Sequence, residues 1–136
     1  MVPQNKTNKK IVFLYSDTGG GHRSSANAII EAIELEVPGL VVSQMVDIFR
    51  DEEPTPFDHA PEIYPQMTRM PAVWEASYRI SDGKQKADWV TQMAWPYVRG
   101  AYRKLVRENP CDLFVSVHPL ANRPILNVTK KSQTPF

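Results

Sequence analysis

Ile11-Val12-Phe13-Leu14-Tyr15 runs straight into Ser16-Asp17-Thr18-Gly19-Gly20-Gly21-His22-Arg23. A short apolar run rich in β-branched and aromatic residues, bounded by glycine, reads as a buried strand over Lys10 to Tyr15. After the glycines the period changes. Ala26, Ile29, Ile30, Ile33 and Val37 recur at helical spacing, which predicts a helix from about His22 to Glu36. Pro38-Gly39 stops it. Leu40 to Phe49 (LVVSQMVDIF) then reads as a second buried strand of the kind found in parallel sheets. Strand, helix and strand with short connections make a βαβ unit, right-handed almost by rule.

The rest of the chain continues the alternation less regularly. Arg50 to His59 is an acidic, proline-containing loop, and Ala60 to Ser81 reads as short helices interrupted at Pro65 and Pro71. A longer helix is expected from about Lys84 to Glu108, kinked or restarted at Pro96. Cys111 to Val117 is a third buried strand, and a last helix is expected from about Leu120 to Lys130. Three strands alternating with helices predict α/β architecture, a Rossmann-like parallel sheet with flanking helices. Residues 1–9 read as a disordered polar tail and 10–136 as the domain. Gln133-Thr134-Pro135-Phe136 fall where a further strand is expected to start, which suggests a chain cut before its last strands.

Bulk properties exclude several classes. Charged residues make up 23% of the 136 and hydrophobic residues 42%, a globular balance rather than a disordered one. A net charge of +1 gives no global field for nucleic acid, so no nucleic-acid partner is expected. The single cysteine, Cys111, fits a reducing compartment. No apolar run has the length of a membrane span.

A glycine loop between a strand and a helix serves either a tight turn needing positive φ or close backbone approach by a ligand. One glycine satisfies the turn; Gly19, Gly20 and Gly21 followed by His22-Arg23 favour the ligand. Ser24 stands where the third glycine of a dinucleotide fingerprint belongs, although Asp47 near the end of the second strand keeps a dinucleotide-binding oxidoreductase as an alternative. No Gly-Lys-Ser/Thr follows, so a Walker-type phosphate loop is excluded. A histidine, with an ordinary pKa of about 6.5, can take a proton at neutral pH, which makes His22 the candidate general base; a helix-capping role is its competitor. Arg23 reads equally as an anion-holding or a solvated side chain. His118 lies at the end of the third strand and so at the same sheet edge as His22, or else His118-Pro119 is a turn device. His22, His59 and His118 lack metal-ligand spacing, and no metal or cofactor is expected.

With Val46-Asp47-Ile48-Phe49 closing the second strand and Phe114-Val115-Ser116-Val117-His118-Pro119-Leu120 the third, Ser16 to Ile29 resembles the N-terminal domain of the monogalactosyldiacylglycerol synthase and diacylglycerol glucosyltransferase family. These are two-domain GT-B enzymes, like glycosyltransferase family 28 and more distantly similar to the lipid II-forming enzyme of peptidoglycan synthesis. The resemblance implies hexose transfer, with inversion, from UDP-galactose or UDP-glucose to diacylglycerol. It implies that Gly19, Gly20 and Gly21 face the inter-domain cleft and that His22 deprotonates the acceptor hydroxyl. Asp17 orients the loop or the imidazole, or caps the loop. Arg23 and His118 fall among the substrate-binding positions. The donor-binding domain is absent from these residues, so the chain by itself is expected to be inactive. A stand-alone lipid- or phosphate-binding module is the non-enzymatic alternative.

Trp74, Trp89 and Trp95 share the region after Ile63 with Tyr64, Met67 and a basic row, Arg99, Arg103 and Arg107. Aromatics beside cations suit an anionic lipid surface. Trp89, Met93, Tyr97, Ala101 and Leu105 are also spaced as the core face of a helix. Given the resemblance, membrane or acceptor contact is expected at Tyr64, Met67, Trp74, Trp89 and Trp95, in a cytoplasmic, peripherally membrane-bound protein with diacylglycerol and anionic lipids as partners.

Overall fold

The computed structural model describes residues 8–17, 20–49, 69–81, 84–130 and 135. Its elements are β1 (Lys9–Tyr15), α1 (Gly21–Glu36), β2 (Val41–Asp47), α2 (Pro71–Ser81), α3 (Lys84–Glu108), β3 (Leu113–Ser116) and α4 (Pro119–Thr129). The strands form one parallel sheet in the order β2-β1-β3, with Tyr15 opposite Asp47 and Leu14 opposite Ser116. The fold is α/β and Rossmann-like. The expected loop over 50–59, the helices before Arg69 and residues 1–7 of the expected tail lie outside the described residues. Lys9, assigned to that tail, is the first residue of β1, where its amide donates to the Leu40 carbonyl at 3.0 Å.

β1 is the middle strand, and Val12 to Tyr15 are buried. Alternation sends neighbouring side chains to opposite faces. Val12 and Leu14 join Val46, Tyr102, Leu105, Phe114, Ala121 and Ile125 in the main core, so α3 and α4 cover that face. Tyr15 points the other way, under Arg23 of α1. Fully burying a side chain such as Phe114 or Leu105 contributes about 1.5–3 kcal/mol. α1 is covered more thinly than its periodicity predicts. Ala26 is fully buried, Ile30 and Ile33 are half-buried, and Ile29 and Val37 are exposed. A three-stranded sheet is too narrow to cover the whole apolar stripe.

α3 runs through Pro96 as one helix, so it does not restart there. The reading of Trp89, Met93, Tyr97, Ala101 and Leu105 as one core face does not survive. Trp89, Met93 and Tyr97 are 60%, 58% and 72% exposed, while Leu105 is 1% exposed. An i, i+4 row advances about 40° around a 3.6-residue helix at each step, so a row that starts in solvent ends in the core. The packed face is carried instead by Val98, Tyr102, Leu105 and Val106. α2 starts at Pro71, whose missing amide is harmless in a first turn, so Pro71 begins a helix rather than interrupting one.

β1 feeds α1 on one face and then β2 on one side. The later crossover returns to β3 on the other side of β1, and α4 packs beside α3 on the opposite face. The chain therefore reverses direction between β1 and β3. The carboxyl ends of those two strands are therefore the switch point of the sheet, where open α/β sheets form their ligand-binding crevice.

Candidate functional site

The crevice is lined from both sides. On the β1 side, Gly20 has φ +77°, a left-handed conformation that a side chain adopts only with strain, and it starts α1 without a side-chain cap. Gly21 is different. Its φ is not positive, and a Cβ there would meet nothing within 4 Å. The fold itself gives no reason for glycine at 21, whereas a ligand pressed against the first turn does. Gly19 lies outside the described residues.

His22, on the first turn of α1, has its Nδ1 2.8 Å from the Val117 carbonyl, just past the end of β3. A carbonyl only accepts, so Nδ1 carries the proton. In the neutral ring Nε2 then holds a lone pair, and it has no hydrogen-bond partner among the described residues. A general base needs this tautomer, and a backbone atom enforces it.

His118 reaches the same point from β3. Pro119 pushes its preceding residue toward extended backbone, and His118 has φ −124° and ψ 123°. That geometry makes it the N-cap of α4, where its Nδ1 accepts from the Leu120 amide at 3.3 Å. Ser116 clamps it in place, donating Oγ–H to the His118 carbonyl at 3.0 Å and accepting from the His118 amide at 3.3 Å. The ring is 4.4 Å from the His22 ring and edge-on to Phe49 at 5.7 Å. Burial, then the charge of nearby His22, lowers its pKa to about 4, so His118 is neutral at pH 7.

Asp17 and Arg23 form a second layer. Arg23 donates to both Asp17 oxygens, from Nε at 3.0 Å and from Nη2 at 2.9 Å, and also to the Tyr15 hydroxyl at 3.0 Å. Its guanidinium lies over the Tyr15 ring. The Asp17 hydrogen bond, with Tyr15 beside it, raises the Arg23 pKa above its ordinary value. The pair ties the glycine loop to the first turn of α1. Asp47 is 3% exposed, and its Oδ1 accepts from the Phe49 amide at 3.0 Å, turning the chain so that Phe49 meets His118. Asp47, on which the dinucleotide alternative rested, holds the turn after β2 through this bond.

Sequence reasoning anticipated His22 and His118 at one edge. It missed Val117, Phe49, Ser116 and Tyr15. Val117 acts through a carbonyl that every residue possesses, so no sequence signal marks it. Phe49 and Ser116 sit inside motifs already noted, and their position at strand ends was the available clue.

Of the residues expected at a membrane, Trp89 is exposed and Trp95 half-buried on α3, and Trp74 lies on α2. Tyr64, Met67 and His59 lie outside the described residues. None of the described helices is long and apolar enough to cross a membrane. Among the described residues no three His, Cys, Asp or Glu side chains gather as metal ligands.

Comparison with known proteins gives a consistent result. A family model described as monogalactosyldiacylglycerol (MGDG) synthase matches residues 22–135. Monogalactosyldiacylglycerol synthase 1, chloroplastic, of Arabidopsis thaliana is 33% identical over 127 residues, covering 90% of this chain and 23% of its own length. A probable chloroplastic synthase of Glycine max is 32% identical with the same coverage, and that of Spinacia oleracea is 28% identical over 124 residues, again covering 90% and 23%. The chain thus spans about a quarter of the length of these relatives. No solved structure matches. The match from His22 to Pro135 takes in both histidines of the crevice, and the chain belongs to the monogalactosyldiacylglycerol synthase family, a family of glycosyltransferases.

Proposed function

We propose that this chain is the acceptor-side part of a glycolipid glycosyltransferase that moves galactose, or glucose, from a UDP-sugar to the free hydroxyl of diacylglycerol. His22 is the general base. The observation that carries this reading is the 2.8 Å contact between His22 Nδ1 and the Val117 carbonyl, which leaves Nε2 as the proton acceptor. As the hydroxyl attacks the anomeric carbon, its proton passes to Nε2 and UDP leaves from the opposite face, so the configuration inverts. Base catalysis of this kind contributes roughly 10²–10⁴-fold.

The first-turn amides of α1, opened by Gly20 and Gly21, face negative charge on the donor diphosphate, and the helix end adds roughly half a positive charge there. The uridine pocket belongs to residues outside this chain, and the chain alone is inactive. No cofactor is needed. The exposed Trp89, Met93 and Tyr97 of α3, followed by Arg99, Arg103 and Arg107, support a reading in which that helix rests on an anionic membrane surface, where a water-insoluble acceptor is found. The protein acts as a peripheral enzyme on the cytoplasmic side.

The test is to incubate the complete protein that contains this chain with UDP-galactose or UDP-glucose and diacylglycerol vesicles. A β-linked glycosyl lipid is the expected product. Vesicle binding with no transfer from either donor overturns the enzymatic reading in favour of a lipid-binding module.

A further inference from the structure

Two histidine rings held as opposite tautomers lie 4.4 Å apart, centroid to centroid. His22 gives its Nδ1 proton to the Val117 carbonyl and keeps a lone pair on Nε2. His118 is the reverse: Nδ1 accepts the Leu120 amide, so the neutral ring carries its proton on Nε2. His118 is 7% exposed, and its Nε2 has no hydrogen-bond partner among the described residues.

An acceptor beside a donor matches the two hydrogen bonds of one hydroxyl group. A phosphate oxygen offers no proton to the His22 lone pair, and an ammonium offers no lone pair to the His118 N–H. We propose that His118 is a second catalytic residue, whose Nε2–H holds the oxygen of the attacking acceptor hydroxyl while His22 takes its proton. This inference rests on the reading of His22 as the base.

The O–H bond breaks and its proton passes to His22 Nε2. The oxygen uses its electron pair to bond the anomeric carbon. The bond from that carbon to the diphosphate oxygen breaks, and its electron pair leaves with UDP. His118 keeps its proton throughout and bonds more strongly as negative charge grows on the oxygen. With a pKa of about 4 it does not become a competing cation at working pH, and among the described residues the titratable side chain against it is His22, on α1. Phe49, on the other contact, carries no charge.

The experiment compares His118→Phe, His118→Gln and His22→Ala in the complete enzyme, with UDP-galactose and diacylglycerol vesicles. Removing an oxyanion-type donor lowers kcat by about 10²–10³-fold, so that loss is expected for His118→Phe, with KM for the nucleotide sugar unchanged. His118→Gln, which retains an N–H, recovers part of the rate, and the acid limb of the pH–rate profile stays in place. A folded His118→Phe enzyme within about threefold of wild type overturns the proposal, as does a Gln variant no better than Phe. If His118→Phe does not fold, the imidazole nitrogen shifts of the wild-type protein decide. Protonated Nε2 on His118 at pH 7 supports the assignment, and protonated Nδ1 overturns it. Full activity in His22→Ala refutes the base reading itself, whereas its loss beside an active His118→Phe refutes only the role of His118.

Discussion

The His22 and His118 rings lie 4.4 Å apart and tilted by 59°, although they begin helices on opposite faces of the sheet. A backbone carbonyl sets one tautomer and a backbone amide the other. The pairing follows from strand order: β1 and β3 are neighbours, and each ends in a turn that carries one histidine.

Acid should weaken the fold through His118. Its folded pKa, about 4, lies below the ordinary histidine value, so protons bind the unfolded chain more tightly. Its contribution is present in full above about pH 6.5 and is lost as pH falls toward 4, at about 1.4 kcal/mol for each unit between the two pKa values. Urea unfolding at pH 7, 5.5 and 4.5 should show this decline in the wild type and a flatter response in His118→Gln.

The two described glycines of the loop should respond differently. Gly20→Ala places a side chain at φ +77° and should cost about 1–2 kcal/mol. Gly21→Ala meets nothing and should leave stability unchanged or raise it by up to about 1 kcal/mol. Yet it should impair transfer in the complete enzyme if, as proposed, the donor diphosphate lies against this turn. Thermal unfolding and turnover, measured on the same two variants, check both halves.

Asp17 and Arg23 form a partly exposed bidentate pair. Exposed pairs are screened by solvent, so Asp17→Ala and Arg23→Ala should each have a small effect on stability. Their effects on turnover should overlap, with the double variant little worse than Arg23→Ala alone, because one contact is removed either way. A double-mutant cycle in kcat measures the coupling.

α3 should divide into two regions of different sensitivity. Leu105→Ala, in the core, should cost about 2–5 kcal/mol. Trp89→Ala and Tyr97→Ser, on the exposed face, should change stability by about 0.5 kcal/mol or less while weakening binding to anionic vesicles. Vesicle co-sedimentation alongside urea midpoints separates the two effects.

The parallel alternation was legible because β1, α1 and β2 each carry one clear period and a glycine or proline stop. The ends of α1 and of β2 fell within one or two residues of their expected positions. The stripe on α3 misled because i, i+4 spacing looks like a single face over two turns and is not one over four. Ile29 and Val37 misled for another reason: periodicity reports which side of a helix is apolar, not whether the sheet beneath is wide enough to cover it. In the site, side chains announced themselves by type. The Val117 carbonyl and the Leu120 amide, which decide what His22 and His118 can do, became visible only in three dimensions.

The most direct test is the turnover of His22→Ala in the complete protein, assayed with UDP-galactose and diacylglycerol vesicles beside wild type. With folding intact, kcat should fall by about 10²–10⁴-fold while the nucleotide sugar still binds. Turnover close to wild type would contradict the assignment of His22 as the base.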